Sequence, residues 1–174
     1  KSPGQDKLLC NSFTDDPLIT DRVLLDCTPT EESKKWATAY KTSTVVGFGQ
    51  NPMSSLNQVS HQIKTPTFVI RTANTAFYKD KLNASFNALK LMNKISIVYT
   101  DYELFSYEAS KTSRVFEYPY DSRICLQGYW PNINNMYATV HIKNAGGFTK
   151  DMNLKLMQNT ILLHIPEALF CEKQ

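Results

Sequence analysis

Glycine is scarce in this sequence, six in 174 residues, and histidine scarcer, with three. So little glycine excludes a collagen-like or low-complexity chain. No apolar run approaches the roughly 20 residues that a membrane-spanning helix needs. The longest, ILLHIP, is interrupted by His164. No four basic residues stand in a row. The net charge of +3, from 19 basic and 16 acidic residues spread along the chain, is too mild for a nucleic-acid-binding surface. The opening KSPGQDK has no signal-peptide pattern, so a secreted protein would start here in a trimmed form.

Catalytic and metal signatures are thin as well. His61, His141 and His164 stand far from one another and from acids or cysteines at ligand spacing. There is no C-x-x-C pair, so neither a zinc site nor a thioredoxin-like motif is expected. No G-x-S-x-G elbow occurs, and Gly47-Phe48-Gly49 lacks the rest of a phosphate loop. The acidic pairs Asp15-Asp16 and Glu31-Glu32 suit helix starts and exposed loops better than acid–base work, and Asp101 reads as an acidic kink in an aromatic strand. A non-enzymatic protein without cofactor or metal is expected.

What the chain does have is cysteine, aromatic residues and short β-forming segments. Cys10, Cys27, Cys125 and Cys171 are widely spaced, two of them near the ends, as in chains whose termini are stapled by disulfides. They permit three pairings, among which loop entropy does not choose. Asn83 opens the one N-glycosylation sequon, Asn83-Ala84-Ser85. Together these features predict a secreted, extracellular glycoprotein.

Residues 17–27 read as one or two helical turns after Pro17. WATAYKTSTVVGF reads as a strand, GFGQNPMSSLNQ as a loop, and VSHQIK and PTFVIRTA as strands. Residues 75–92 carry both a helical stripe (Phe77, Leu82, Phe86, Leu89) and a strand-like alternation, and are read as two strands turning at Lys79-Asp80-Lys81. Residues 94–109 form the best strand. SRVFEYPY, SRICLQGYW and MYATVHIK follow as strands, divided by turn chemistry at Asp121-Ser122, Pro131-Asn132 and Asn144 to Gly147. Thr149 caps a late helix with a stripe of Leu154, Met157, Ile161 and His164 or Ile165, ended by Pro166. The sum is a single domain, 1–174, mainly β: an antiparallel eight-stranded barrel, or a β-sandwich, with a C-terminal helix.

Tyr40, Phe68, Tyr99, Phe105, Tyr107, Phe116 and Tyr118 fall on the expected strands. Tyrosine rings line a cavity well, because each turns a flat face to an apolar ligand and keeps a hydroxyl for a directed bond. These seven are therefore the expected ligand-binding residues.

Two segments resemble lipocalin motifs. KKWATAYK resembles the first, Gly-x-Trp before an alternating strand, with Trp36 in the tryptophan place and Lys34 in the glycine place. YTDYELFSY resembles the second, centred on Thr100-Asp101-Tyr102. The resemblance implies a β-barrel closed at one end by Trp36, disulfides Cys10–Cys125 and Cys27–Cys171, and a small, largely apolar ligand held in the barrel without being altered. The competing expectation is a secreted β-sandwich that binds an extracellular protein, as an immune modulator or receptor-binding module does. Neither nucleic acid nor a membrane span is expected.

Overall fold

The computed structural model describes residues 18–21, 23–26, 31, 35, 44–47, 52–72, 74–78, 80–106, 111–123, 127, 130–149 and 151–173. Their order is β1 (Val23–Asp26), β2 (Thr44–Gly47), α1 (Pro52–Gln62), β3 (Thr67–Val69), β4 (Thr75–Phe77), α2 (Lys81–Leu91), β5 (Ile95–Ser106), β6 (Lys111–Val115), β7 (Met136–Ala138), α3 (Thr139–Asn144), α4 (Met152–Asn159) and β8 (Ile161–Lys173). β1 and β2 form a parallel pair. The other six strands form one sheet in the order β3-β7-β5-β8-β4, with β6 also on β5.

This is a mixed α/β fold with a curled, partly parallel sheet, and it corrects the expectation of an antiparallel barrel or sandwich. β5 and β8 run parallel side by side, with α3 and α4 in the connection between them. Helices cover both faces. On one, Leu56 of α1, Ile142 of α3 and Met152 and Leu156 of α4 pack on Ile97, Tyr99 and Leu162. On the other, Leu82, Ala88 and Leu89 of α2 pack on Ile95 and Val98. β5 is therefore buried without a break from Ile95 to Asp101. A strand covered on both faces reads as a continuous apolar run, whereas an antiparallel wall alternates. The aromatic stretch does not wrap a cavity; its inner half is solid core.

Four further expectations change for local reasons. The segment containing VSHQIK belongs to α1, where Pro52 takes the first helical position and Ser55, Leu56, Val59 and Ser60 form the buried stripe. Residues 75–92 hold one short strand and then α2, so the Leu82–Phe86–Leu89 stripe outweighs the alternation, and Asn83 lies on the helix's exposed side. MYATVHIK is strand for three residues and then α3, because Thr139 and Ile142 must turn into the core. The late helix stops at Asn159 and Asp151, not Thr149, holds its N-cap, so His164 stands on β8 rather than at a helix end.

The turn after α3 is as expected. Gly146 and Gly147 have φ of 90° and 77°, and a Cβ on Gly147 would stand 1.8 Å from Asn57 Oδ1 on α1. Glycine suits this position because its φ is positive and because it leaves room for the Asn57 side chain. No disulfide occurs among the described residues: Cys171 on β8 is a thiol 3.9 Å from the Glu172 carbonyl, and Cys10, Cys27 and Cys125 lie outside them. No described helix is long and apolar enough to cross a membrane.

Candidate functional site

β5 changes partners along one edge. Ile97 and Val98 pair with β7, and pairing with β6 begins only at Tyr102. At the intervening residues, Tyr99 to Asp101, the sheet edge opens, and the segments 116–120 and 130–135 lead away from it. On the opposite edge β8 is bulged. Thr100 lies opposite Ile165 but Asp101 opposite Ala168, so Pro166 and Glu167 are extra. Bulges of this kind re-aim side chains and are frequent beside functional sites. Strand-partner changes in open α/β sheets leave a crevice. Two adjoining clefts open here, of about 470 and 330 Å³, and Phe116 and Glu117 line both.

Asp101 is the hub. Its Oδ1 accepts the Glu117 N–H at 3.0 Å and His164 Nε2–H at 2.8 Å, and its Oδ2 accepts Arg114 Nη2–H at 3.0 Å. Burial opposes ionisation, but these donors outweigh it and hold the carboxyl below the usual carboxylate range. Arg114 also donates to the Pro166 carbonyl at 3.0 Å and lies over the Phe116 ring at 4.8 Å, so the bulge is tied to the hub. The ring of His164 stacks on Tyr99 at 5.0 Å, and Tyr99 in turn donates its hydroxyl to the Tyr118 carbonyl at 2.7 Å. The bond to Asp101 fixes the orientation of the His164 ring.

Glu117 sits at the junction of the clefts and is 8% exposed. Burial pushes its carboxyl above the ordinary range, against the opposing pull of the Asn132 N–H at 3.4 Å and of Lys81. Lys81, at the start of α2, is fully buried and donates to Thr100 Oγ1 at 2.9 Å, with its ammonium 4.4 Å from the centre of the Phe170 ring. Burial lowers it from 10.5 to about 7. A carboxyl raised toward neutrality beside an oriented imidazole is suited to proton transfer.

A polar ledge supports the second cleft. Asn132 Nδ2 donates to Glu172 at 2.9 Å, while its Oδ1 accepts the backbone and side-chain N–H of Asn134 at 2.9 and 2.8 Å. Asn134 Oδ1 in turn accepts the Thr72 N–H at 2.7 Å, just past β3. Asn135 Nδ2 donates to the Asn132 carbonyl. Among the described residues no group of three or more His, Cys, Asp or Glu is placed to hold a metal ion.

The residues expected to bind ligand are dispersed. Phe116 and Tyr118 are exposed and line the clefts. Tyr99 is buried beneath them, and Phe68 stacks on Tyr137 in the core at 5.2 Å. Phe105 lies far along β5, opposite Thr112. Tyr40 and Tyr107 lie outside the described residues, as does Trp36, for which the described strands offer no barrel to close. Sequence reasoning missed Glu117, His164, Lys81, Arg114, Trp130 and Asn132. Asp101 and Glu117 are 16 residues apart and Asp101 and His164 are 63 apart, so no local spacing signals the cluster.

No protein-family model matches the sequence, and no curated protein does. Solved structures do. Staphylococcus aureus TarS 1-349 in complex with UDP-GlcNAc superposes with a TM-score of 0.69 at 12% identity, over 98% of this chain and 56% of that one. The same TarS fragment with UDP gives 0.67 at 12%, covering 98% and 57%. A mycobacterial protein gives 0.65 at 10%, covering 98% and 64%. The chain thus spans a little over half the length of the TarS fragment. At such identities the likeness is one of fold. It overturns the lipocalin resemblance, whose two motifs fall outside the described residues (Trp36) and on a central strand of an α/β sheet (Thr100 to Tyr102). The non-enzymatic carrier of an apolar ligand and the secreted protein-binding sandwich fall with it, because both stood on an all-β shell and the matching fold is one crystallised with a nucleotide and a nucleotide sugar.

Proposed function

We propose that this chain is a glycosyltransferase-like domain that binds a nucleotide sugar in the paired clefts at the β5 edge. The observation that carries the reading is the likeness of nearly the whole chain to TarS 1-349, a protein solved with UDP and with UDP-GlcNAc. The clefts fall within the usual size range of small-ligand sites. Glu117 has the environment of a general base: it takes the proton of an acceptor hydroxyl as the new C–O bond forms, and the nucleoside diphosphate leaves with the electron pair of the bond that breaks. Asp101 orients His164 and Arg114 rather than reacting, since both its oxygens are engaged.

Calorimetric titration with UDP and UDP-GlcNAc tests the binding half, and saturable uptake of both is expected. Lack of heat with either ligand removes the reading. UDP release from UDP-GlcNAc tests the chemistry. Glu117→Gln keeps the shape, leaves UDP affinity within about two-fold and lowers the release rate by about 100-fold or more, the usual range for a lost general base.

A further inference from the structure

The smaller cleft differs in character from the larger. Its walls are four aromatic side chains, Tyr102, Phe116, Tyr118 and Trp130, with Glu117 and Asn132 at the polar end. Phe116 is 70% and Tyr118 58% exposed, which is costly for rings of that size unless something covers them. Tyr102 is held from behind. Its ring stacks on Phe170 at 5.0 Å, and Asn132, anchored by Glu172 and Asn134, lines the same cleft. Asn132 thus spends its amide on the scaffold, and the other polar side chains lining the cleft are the phenols of Tyr102 and Tyr118 and the Glu117 carboxyl.

We propose that this second cleft is a pyranose subsite. A hexopyranose has a C–H face that packs on aromatic rings and a rim of hydroxyls that needs a few fixed polar partners. Rigid rings beside one carboxyl and two phenols provide both. The volume of about 330 Å³ is small for a nucleotide and ample for one sugar ring. A purely apolar ligand would leave Glu117 buried and desolvated. The sugar comes from one of two sources, the donor's own glycosyl group or a saccharide acceptor. This inference rests on the nucleotide-sugar reading above but is tested apart from it.

The test compares three probes, UDP, UDP-GlcNAc and tri-N-acetylchitotriose, on the native chain and on Phe116→Ala and Tyr118→Ala. Both side chains are largely exposed, so the variants retain the fold, which circular dichroism verifies. Stacking of this kind corresponds to about five- to ten-fold in affinity. Weakening of UDP-GlcNAc by that factor, with UDP unchanged, assigns the subsite to the donor sugar. Weakening of the trisaccharide alone assigns it to the acceptor. Equal weakening of UDP and UDP-GlcNAc shows that the rings stack on the base and overturns the proposal. Unchanged affinity for all three probes overturns it as well, as does an absence of binding by both sugar-bearing probes. Trisaccharide binding without any UDP binding would uphold the subsite and remove the nucleotide-sugar reading.

Discussion

Asp101 shows how much one side chain can organise. It is 1% exposed and accepts hydrogen bonds from a guanidinium and a backbone amide of the 114–117 segment and from the imidazole of His164 on β8. Removing one partner of such a buried cluster costs more than the net worth of the cluster, because the others are left desolvated. Asp101→Asn is expected to lower stability by about 3 kcal/mol at neutral pH. The sign of its pH dependence follows from the depressed carboxyl. The stabilisation is present above the ordinary carboxylate pKa and is lost as pH falls through the lower, folded-state value. The gap between native and variant in urea unfolding therefore narrows on acidification, and a constant gap would show that Asp101 is not ionised in the fold. The sequence marks Asp101 as an acid set in an aromatic strand, but its rank as a hub comes from partners brought by folding.

At the scale of elements, β5 and β8 carry the molecule. The inner half of β5 lies between two helical layers, and its outer half, from Tyr102 on, has β6 on its edge. Val98 is fully buried, whereas Val115 of β6 is half-buried at the rim of the clefts. Truncation is expected to report that difference: Val98→Ala loses about 2 kcal/mol and Val115→Ala less than about 1 kcal/mol, read from urea midpoints at constant m. Comparable losses would contradict a two-sided core. Residues 95–106 are identifiable as a strand from their β-branched and aromatic content, and the buried stripe of α2 is visible as Leu82, Phe86 and Leu89. What the chain does not disclose is that the apolar run of β5 has helices on both sides. A fully buried strand and one wall of a barrel look alike over so few residues, and the direction in which β8 joins it depends on contacts 63 to 68 positions away.

At the scale of the whole molecule, stability is coupled to the protonation of Lys81, which is fully buried. In the sequence it reads as the last residue of the Lys79-Asp80-Lys81 turn; in the fold it is sealed under Phe77 and Phe170, facing Thr100 and within the field of Glu117. Its proton is held to about pH 10.5 in the unfolded chain but only to about 7 in the folded one. Between these values the unfolded state binds more protons, so stability rises with pH across that interval and is lost again as pH falls toward 7. Lys81→Met keeps the length and removes the charge. The difference in unfolding free energy between variant and native protein is expected to favour the variant near pH 7 and to shrink toward pH 10. A difference independent of pH would show that the ammonium persists in the fold.

By itself the sequence determined the local tendencies: which segments are apolar enough to be buried, where glycines force the turn after α3, and that aromatic rings are concentrated between residues 99 and 120. Only the tertiary structure decided the class of fold and the composition of the site. The reason is physical. Propensity and periodicity act over a few residues, whereas the layer a strand packs into, and the company a carboxyl keeps, depend on chain segments that meet only once the hydrophobic faces have found one another.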